Sequence, residues 1–326
     1  MSFRNFELFC DVAECRSFSK AADRRGVSQS SVSQAVAHLE KQLKLELIDR
    51  SHRPLALTPA GQRYFEGCRE LLAGFERLET EVQELAGRVA GKLRVAAIYS
   101  IGLLQMDSYV HHFEAAFPDV DLRVDYVHPE QVYDRIRTDS AEIGLVSFPE
   151  DSAELTAIPW QEQPFSLIVH PDHPLAKRAS QGYDSAPIEA VQSEDLVNFT
   201  SELKVRKQLD RWLREAGVSP NVVHEFDNVE QIRRAVEDGV GVALLPEATV
   251  TRSVETGTLV SLKLENVKWY RPLGIIHKRN RRLSNAADRF VELLHEDLNT
   301  LRGTDSNESS REGRAGNRDQ KLNAST

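Results

Sequence analysis

Between Ser28 and Leu43 the sequence SQSSVSQAVAHLEKQL places Gln29, Ser30, Ser33, Gln34 and Ala37 on one side of a helix. Val32, Val36, Leu39 and Leu43, spaced by four, three and four residues, fall on the other side. A glutamine amide can donate to and accept from an adenine edge at once, and a serine hydroxyl can bond a base or a phosphate. The free amides of a helix's first turn also favour a phosphate. Polar residues on an outer helix face are more often merely solvated, so the neighbouring segments decide the reading. Downstream, Leu45, Leu47, Leu55 and Leu57 alternate around Arg50-Ser-His-Arg53-Pro. That pattern reads as a short hairpin whose Arg50 and Arg53 can reach phosphates or a minor groove. Other residues that invite chemistry carry less. His170 and His173 lie in a proline-bounded turn with no cysteine near enough to complete a tetrahedral metal site. Gly239-Val-Gly241 lacks the third glycine of a dinucleotide fingerprint and follows a helix. Cys10, Cys15 and Cys68, the only cysteines, read as small apolar fillers. No catalytic residue, metal or cofactor is assigned.

The elements that position the polar face are legible around it. Phe3, Phe6, Phe9 and Ala13 recur at helical spacing, giving a first helix over 4–15. Ser17 caps a second short helix carrying Ala21 and Ala22, which stops at Gly26, and Ser28 caps the third. Two helices joined by a tight turn, the second polar in its first half, form the helix-turn-helix layout. Thr58-Pro59 opens a long helix expected to run to Val89. Tyr64, Cys68, Leu71, Phe75, Leu78, Val82, Leu85 and Val89 recur along it by alternating fours and threes. Such a heptad seam suits a two-stranded coil, with Leu71, Phe75, Leu78, Val82 and Leu85 as dimerisation residues. Charge agrees: residues 1–63 hold ten Lys/Arg against seven acids, +3, in a chain whose net charge is −9.

The segment from Phe9 to Phe65 resembles the winged helix-turn-helix of LysR-type transcriptional regulators. The landmarks are Ser17, Phe18, Ala21, Ala22, Val27, Ser28, Gln29, Ser33, Leu39, Glu40, Leu43, Arg50, Leu57, Thr58 and Gly61. Two positions depart from the family pattern: Lys44 stands where glycine is usual, and Ile48 where phenylalanine is usual. Lys44 is therefore expected to hold a left-handed backbone.

Gly91 to about residue 300 alternates β-like runs with helical patterns, the signature of an α/β domain. Strands are expected at 92–98, 122–127, 142–146, 164–170, 196–199, 222–226 and 242–245, and helices to Phe117 and over 131–138, 203–216, 229–237 and 285–298. Glu142-Ile-Gly-Leu-Val146, His170-Pro-Asp-His-Pro174 and Gly239-Val-Gly-Val-Ala-Leu-Leu-Pro246 resemble the periplasmic-binding-protein-like effector domain of the same family. The fold that follows is an N-terminal winged helix-turn-helix, all-α with a short β wing (1–58), a linker helix (59–90) and a C-terminal α/β effector domain (91–300). The last comprises two Rossmann-like subdomains, 91–163 plus 267–300 and 164–266. Residues 301–326, poor in apolar side chains, read as a disordered tail.

In such a fold, ligands sit in the crevice at strand ends and helix starts. Ser100, Ile101 and Gly102 follow the first strand, and Thr200 and Ser201 follow a strand of the other half. Their hydroxyls and amides would face each other and suit a small anion, with His128 and Ser147 as further candidates. Asn228 more simply caps its own helix. The resemblance implies double-stranded promoter DNA, a small-molecule effector, a homodimer or homotetramer and RNA polymerase as partners. Without an 18-residue apolar run or an opening signal segment, a cytoplasmic protein with no membrane partner is expected. The competing reading is a small-molecule-binding protein or an enzyme using the α/β portion. No paired carboxylates, nucleophile elbow or phosphate loop supports catalysis.

Overall fold

The computed structural model describes residues 3–85, 88–102, 106–179 and 184–296; the expected tail lies outside them. Three helices open the chain: α1 (Phe3–Cys15), α2 (Phe18–Arg25) and α3 (Gln29–Leu43). Ser17 caps α2 by accepting the Lys20 amide at 3.4 Å, and Ser28 caps α3 by accepting the Ser31 amide at 3.2 Å. Gly26 ends α2 at φ +62°, and a Cβ there would meet nothing within 4 Å. The left-handed backbone, not crowding, is what requires glycine there. Lys44 ends α3 in the same conformation at φ 55°, as its place in the sequence led us to expect.

A two-stranded wing follows, β1 (Ile48–Asp49) antiparallel to β2 (Ala56–Leu57), with Ile48 opposite Leu57. Glu40 fastens it to α3. Its carboxylate accepts the amides of Leu47 at 2.9 Å and Ile48 at 3.2 Å and pairs with Arg50 at 2.9 Å. Thr58 then caps α4 (Pro59–Leu85), accepting the Gly61 amide at 2.9 Å and donating to the Glu46 carbonyl at 2.7 Å. Gly61 lies flush on the wing: a Cβ would fall 1.9 Å from the Leu47 carbonyl oxygen.

The long helix departs from its expected seam at both ends. Tyr64 and Cys68 face inward and join Leu8, Phe9, Cys10 and Val36 in the winged-domain core. Val89 lies beyond the helix and packs on the α/β core instead. Between them Leu71, Phe75, Leu78 and Val82 remain 61%, 44%, 56% and 59% exposed. Leu85 lies outside the described side chains.

The rest is α/β: β3 (Gly91–Ile98), α5 (Tyr99–Gly102), α6 (Met106–Ala116), β4 (Val120–Val127), α7 (Pro129–Arg137), β5 (Ile143–Ser147), then β6 (Leu155–Val169). There follow α8 (Pro174–Ala179), β7 (Ser185–Pro187), β8 (Asp195–Phe199), α9 (Lys204–Glu215), β9 (Asn221–Phe226) and α10 (Val229–Glu237). The chain closes with β10 (Ala243–Pro246), α11 (Thr251–Glu255), β11 (Val260–Glu265), β12 (Tyr270–Lys278) and α12 (Asn285–His295). Strands β4, β3 and β5 pair in parallel; β12 runs antiparallel to β5 and to the first part of β6. The last part of β6 pairs instead with β10 and β11. One strand thus passes from one half into the other at Pro164–Phe165, and the chain returns at Trp269, whose carbonyl accepts the Phe165 amide at 2.9 Å. Two cores result, one built from Leu93–Leu155 and Leu273–Leu294, the other from Phe165–Trp269.

The expected strand at 164–170 is therefore the second half of a longer one. Pro159, Gln161, Glu162 and Gln163 interrupt its alternation, and β7, β11, β12, α8 and α11 escaped the sequence reading for want of a clean period.

Candidate nucleic-acid interface and ligand cleft

In α3, Val32, Val36 and Leu39 are each fully buried, and this fixes the helix rotation. Gln29, Ser30 and Gln34 are consequently exposed and Ser33 half-exposed. Gln29 accepts from the Ser19 hydroxyl at 3.2 Å, which ties the helix tip to α2. The Ser30 hydroxyl lies 2.8 Å from that of Ser28. The four side chains expected to meet bases share one outer surface.

The two wing arginines differ from each other. Arg50 is exposed yet engaged: it pairs with Glu40 and its guanidinium sits 5.4 Å from the Phe18 ring centroid. It braces the wing against α2 and α3 while keeping its side chain at the surface. Among the described residues Arg53 bonds only the carbonyls of Arg50 at 3.2 Å and His52 at 3.1 Å. Among the described residues it has no carboxylate within 4.0 Å. Its charge is available to a phosphate.

The second site is a cleft of about 280 Å³ between the two α/β halves. From the first half come Tyr99 and Ser100 after β3, His128, Pro129 and Tyr133 at the start of α7, and Ser147 at the end of β5. The other half contributes Phe199, Glu202–Val205 and Asp227–Val229, which carry the starts of α9 and α10. Lys204 crosses the opening to pair with Glu150 at 2.9 Å, 5.1 Å from the Tyr133 ring centroid.

Of the expected ligand residues, Ser100, His128 and Ser147 line this space. Ile101 does not: it is fully buried in the first core. Gly102 packs on Tyr126, whose ring carbon would be 3.0 Å from an added Cβ. Thr200 and Ser201 sit in the turn between lining residues without lining the cavity. The Thr200 amide donates to the Phe226 carbonyl at 3.0 Å, and the Ser201 hydroxyl to Glu202 at 3.4 Å. Asn228 lines the cleft while capping α10, accepting the Gln231 amide at 3.0 Å.

The cleft also holds a residue that the sequence did not flag. Arg271, on β12, is only 3% exposed and lines the cavity. Its Nε donates to Gln163 Oε1 at 3.0 Å, Nη2 donates to the same oxygen, and Nη1 donates to the Ser100 hydroxyl at 2.9 Å. Among the described residues no carboxylate lies within 4.0 Å of it. Burial pushes its pKa down to about 9. The one available signal was an arginine beside Pro272 after an aromatic pair, a pattern that fits an exposed turn equally well.

The remaining motifs have structural explanations. His170 Nδ1 accepts the Asp172 amide at 3.1 Å, and His173 holds the Leu175 amide at 3.3 Å and faces Glu194 at 3.2 Å. Gly239 ends α10 at φ +72°, and a Cβ on Gly241 would stand 2.3 Å from the Asp195 carbonyl oxygen. Cys10 and Cys68 are buried in the winged-domain core. No helix among the described residues is long and apolar enough to cross a membrane.

Two family models match the chain: the bacterial regulatory helix-turn-helix of the lysR family over residues 3–62, and the LysR substrate binding domain over residues 86–299. The RuBisCO operon transcriptional regulator of Allochromatium vinosum is 26% identical over 90% of this chain and 95% of its own length. The HTH-type transcriptional regulator CysL of Bacillus subtilis is 25% identical over 90% of this chain and 97% of its own. Among solved structures, full-length CbnR complexed with its target DNA is similar in fold, with a TM-score of 0.68 at 18% identity, covering 90% of this chain and 99% of that one.

Proposed function

The chain belongs to the LysR family of transcriptional regulators, and from that premise we propose that it binds promoter DNA as a homo-oligomer under the control of a small molecule in the α/β cleft. The observation that carries this reading is the outward display of Gln29, Ser30, Ser33 and Gln34 opposite the buried Val32, Val36 and Leu39. In this reading α3 enters the major groove, its first-turn amides meet a phosphate, and Arg53 on the wing holds the backbone beside it. Leu71, Phe75, Leu78 and Val82 pair two long helices, so two copies of α3 address half-sites about one helical turn apart, roughly 34 Å, or a multiple of it. Ser100, His128 and Ser147 contact the effector. A ligand that binds the open and closed cleft with different affinity shifts the balance between them and changes how the paired helices are held. Assembly into a tetramer and contact with RNA polymerase at the promoter complete the proposal, on family resemblance. A regulator of this kind works in the cytoplasm.

We read the cleft as a sensor rather than a catalytic centre. Ser100, its most nucleophile-like residue, accepts a hydrogen bond from the Arg271 guanidinium. A cation in that position cannot act as the base that nucleophilic serine needs. Footprinting on the DNA flanking its own gene, with binding measured against salt, tests the proposal. The expected result is a dyad-symmetric protected site and an affinity that falls steeply with salt. Binding without a dyad, or insensitive to salt, overturns it.

A further inference from the structure

We propose that the effector is a small organic carboxylate whose acid group is held by Arg271 and Ser100 at the floor of the cleft. This rests on the regulator reading above and goes beyond the strand-end hydroxyls that first suggested an anion. An arginine guanidinium carries five N–H bonds in a fixed fork. Three are used, two on Gln163 and one on Ser100. One N–H on each Nη is therefore without a partner among the described residues, and each can donate to a carboxylate oxygen. A charged group this deeply buried is costly unless paired with an opposite charge. Yet the protein places only an amide oxygen and a hydroxyl against it.

The walls favour the same charge. Three helices of nine, twelve and nine residues, α7, α9 and α10, start at the cavity. Their aligned amides favour a negative group there. His128 and Leu203, at the cap positions of α7 and α9, make no side-chain capping bond, although Pro129 at the first position of α7 has no N–H to offer. The acids on the walls, Glu130, Glu202 and Asp227, are exposed, whereas Arg271 is not. Solvent screens the former more than the latter. Between floor and opening, Ile98, Tyr133, Phe199, Leu203 and Val229 offer an apolar surface that inorganic phosphate would not use. At about 280 Å³ the space is metabolite-sized, near the ~300 Å³ lower end of common ligand pockets.

The test is thermal unfolding and calorimetric titration of the full-length protein with benzoate and hexanoate, against benzamide, hexanamide and inorganic phosphate. The carboxylates are expected to raise the unfolding temperature saturably, while the amides and phosphate do not. Arg271→Met is expected to abolish the carboxylate response. Ser100→Ala is expected to weaken carboxylate affinity about tenfold, the loss of one hydrogen bond to a charged group. Should Arg271→Met fail to fold, Ser100→Ala still decides: unchanged carboxylate affinity in that variant overturns the proposal. So does equal action of amides or phosphate, a full carboxylate response in Arg271→Met, or no response to either carboxylate at saturating concentration. Salt-dependent DNA binding of the unliganded wild type, measured alongside, reports on the regulator reading separately.

Discussion

Replacing Leu78 by Asp should dissociate the assembly, and the structure sets the size of the effect. Leu78 is 56% exposed on the outer face of α4, away from the winged-domain core. Fully burying a leucine contributes about 1.5–3 kcal/mol, so covering its exposed part contributes about 1–1.5 kcal/mol. Two copies meet across a two-fold axis, which doubles this to about 2–3 kcal/mol per dimer. At 1.4 kcal/mol for each tenfold step, the dissociation constant should rise by about 30- to 150-fold. The two carboxylates brought together add to that. Leu71, Phe75, Leu78 and Val82 together contribute on the order of 10 kcal/mol by the same reckoning, within the 4–15 kcal/mol that association costs. One lost position is therefore decisive. Sedimentation equilibrium over a concentration series reads the shift, with Glu79→Gln, exposed but off the seam, as the control. If Leu78→Asp self-associates as tightly as the wild type, the helices do not pair through this stripe.

Gly61→Ala should lower the melting temperature more than Gly26→Ala. The first forces a Cβ to within 1.9 Å of a carbonyl oxygen, while the second meets open space and carries only the ~1–2 kcal/mol strain of a left-handed alanine; equal melts would refute the close approach. Glu40→Ala removes the acceptor for two wing amides and the Arg50 partner. A loss of about 2–4 kcal/mol is expected in denaturant titrations, with an accompanying drop in DNA affinity. Carboxylate binding should weaken as pH rises through about 9. Burial lowers the Arg271 pKa, so its charge is lost there while an exposed arginine keeps its own, and a bound carboxylate pulls the loss to higher pH. By the same linkage, the unfolded chain holds the extra proton above about 9, so this group's contribution to ligand-free stability rises with pH in that range. Ser100 and Gln163 touch the guanidinium, and His128, Glu130, Glu202, Lys204, Lys207 and Asp227 share the cavity walls. Benzoate titrations across pH 7–10.5 read the change, and a flat affinity refutes it.

What the sequence made legible follows from periodicity. Val32, Val36 and Leu39 fixed which way Gln29, Ser30, Ser33 and Gln34 face because a helix has only one buried side in so small a domain. The seam holds as an exposed stripe only in its middle, and even there Phe75 leans on Phe3 of α1, with ring centroids 4.6 Å apart. Tyr64 and Cys68 obey the same heptad as Leu71 and Leu78, yet they pack inward on α1, since spacing cannot say which neighbour covers a stripe. Residues whose roles depend on distant chain segments were not legible. Arg271 meets Gln163 and Ser100 from far along the chain, and nothing in the order of residues places the three together. Glu40 was visible as a landmark, but its grip on the wing was not. Ile101, buried in the first core one residue after Ser100, shows the converse. Lying next to a strand end is not the same as pointing into the cleft, and a shift of one residue turns a side chain from opening to core.

The contact of Gly61 with the Leu47 carbonyl has a geometric result. Backbone against backbone leaves no room for a swivel, so the DNA-reading head and its helix turn as a single spoke. Over 27 residues that spoke is about 40 Å long at 1.5 Å per residue. Tilting it by about 5° sweeps the tip through roughly 3.5 Å, close to the 3.4 Å between neighbouring nucleotides of one strand. A small-angle change at the far end is enough to move the tip from one base pair to the next.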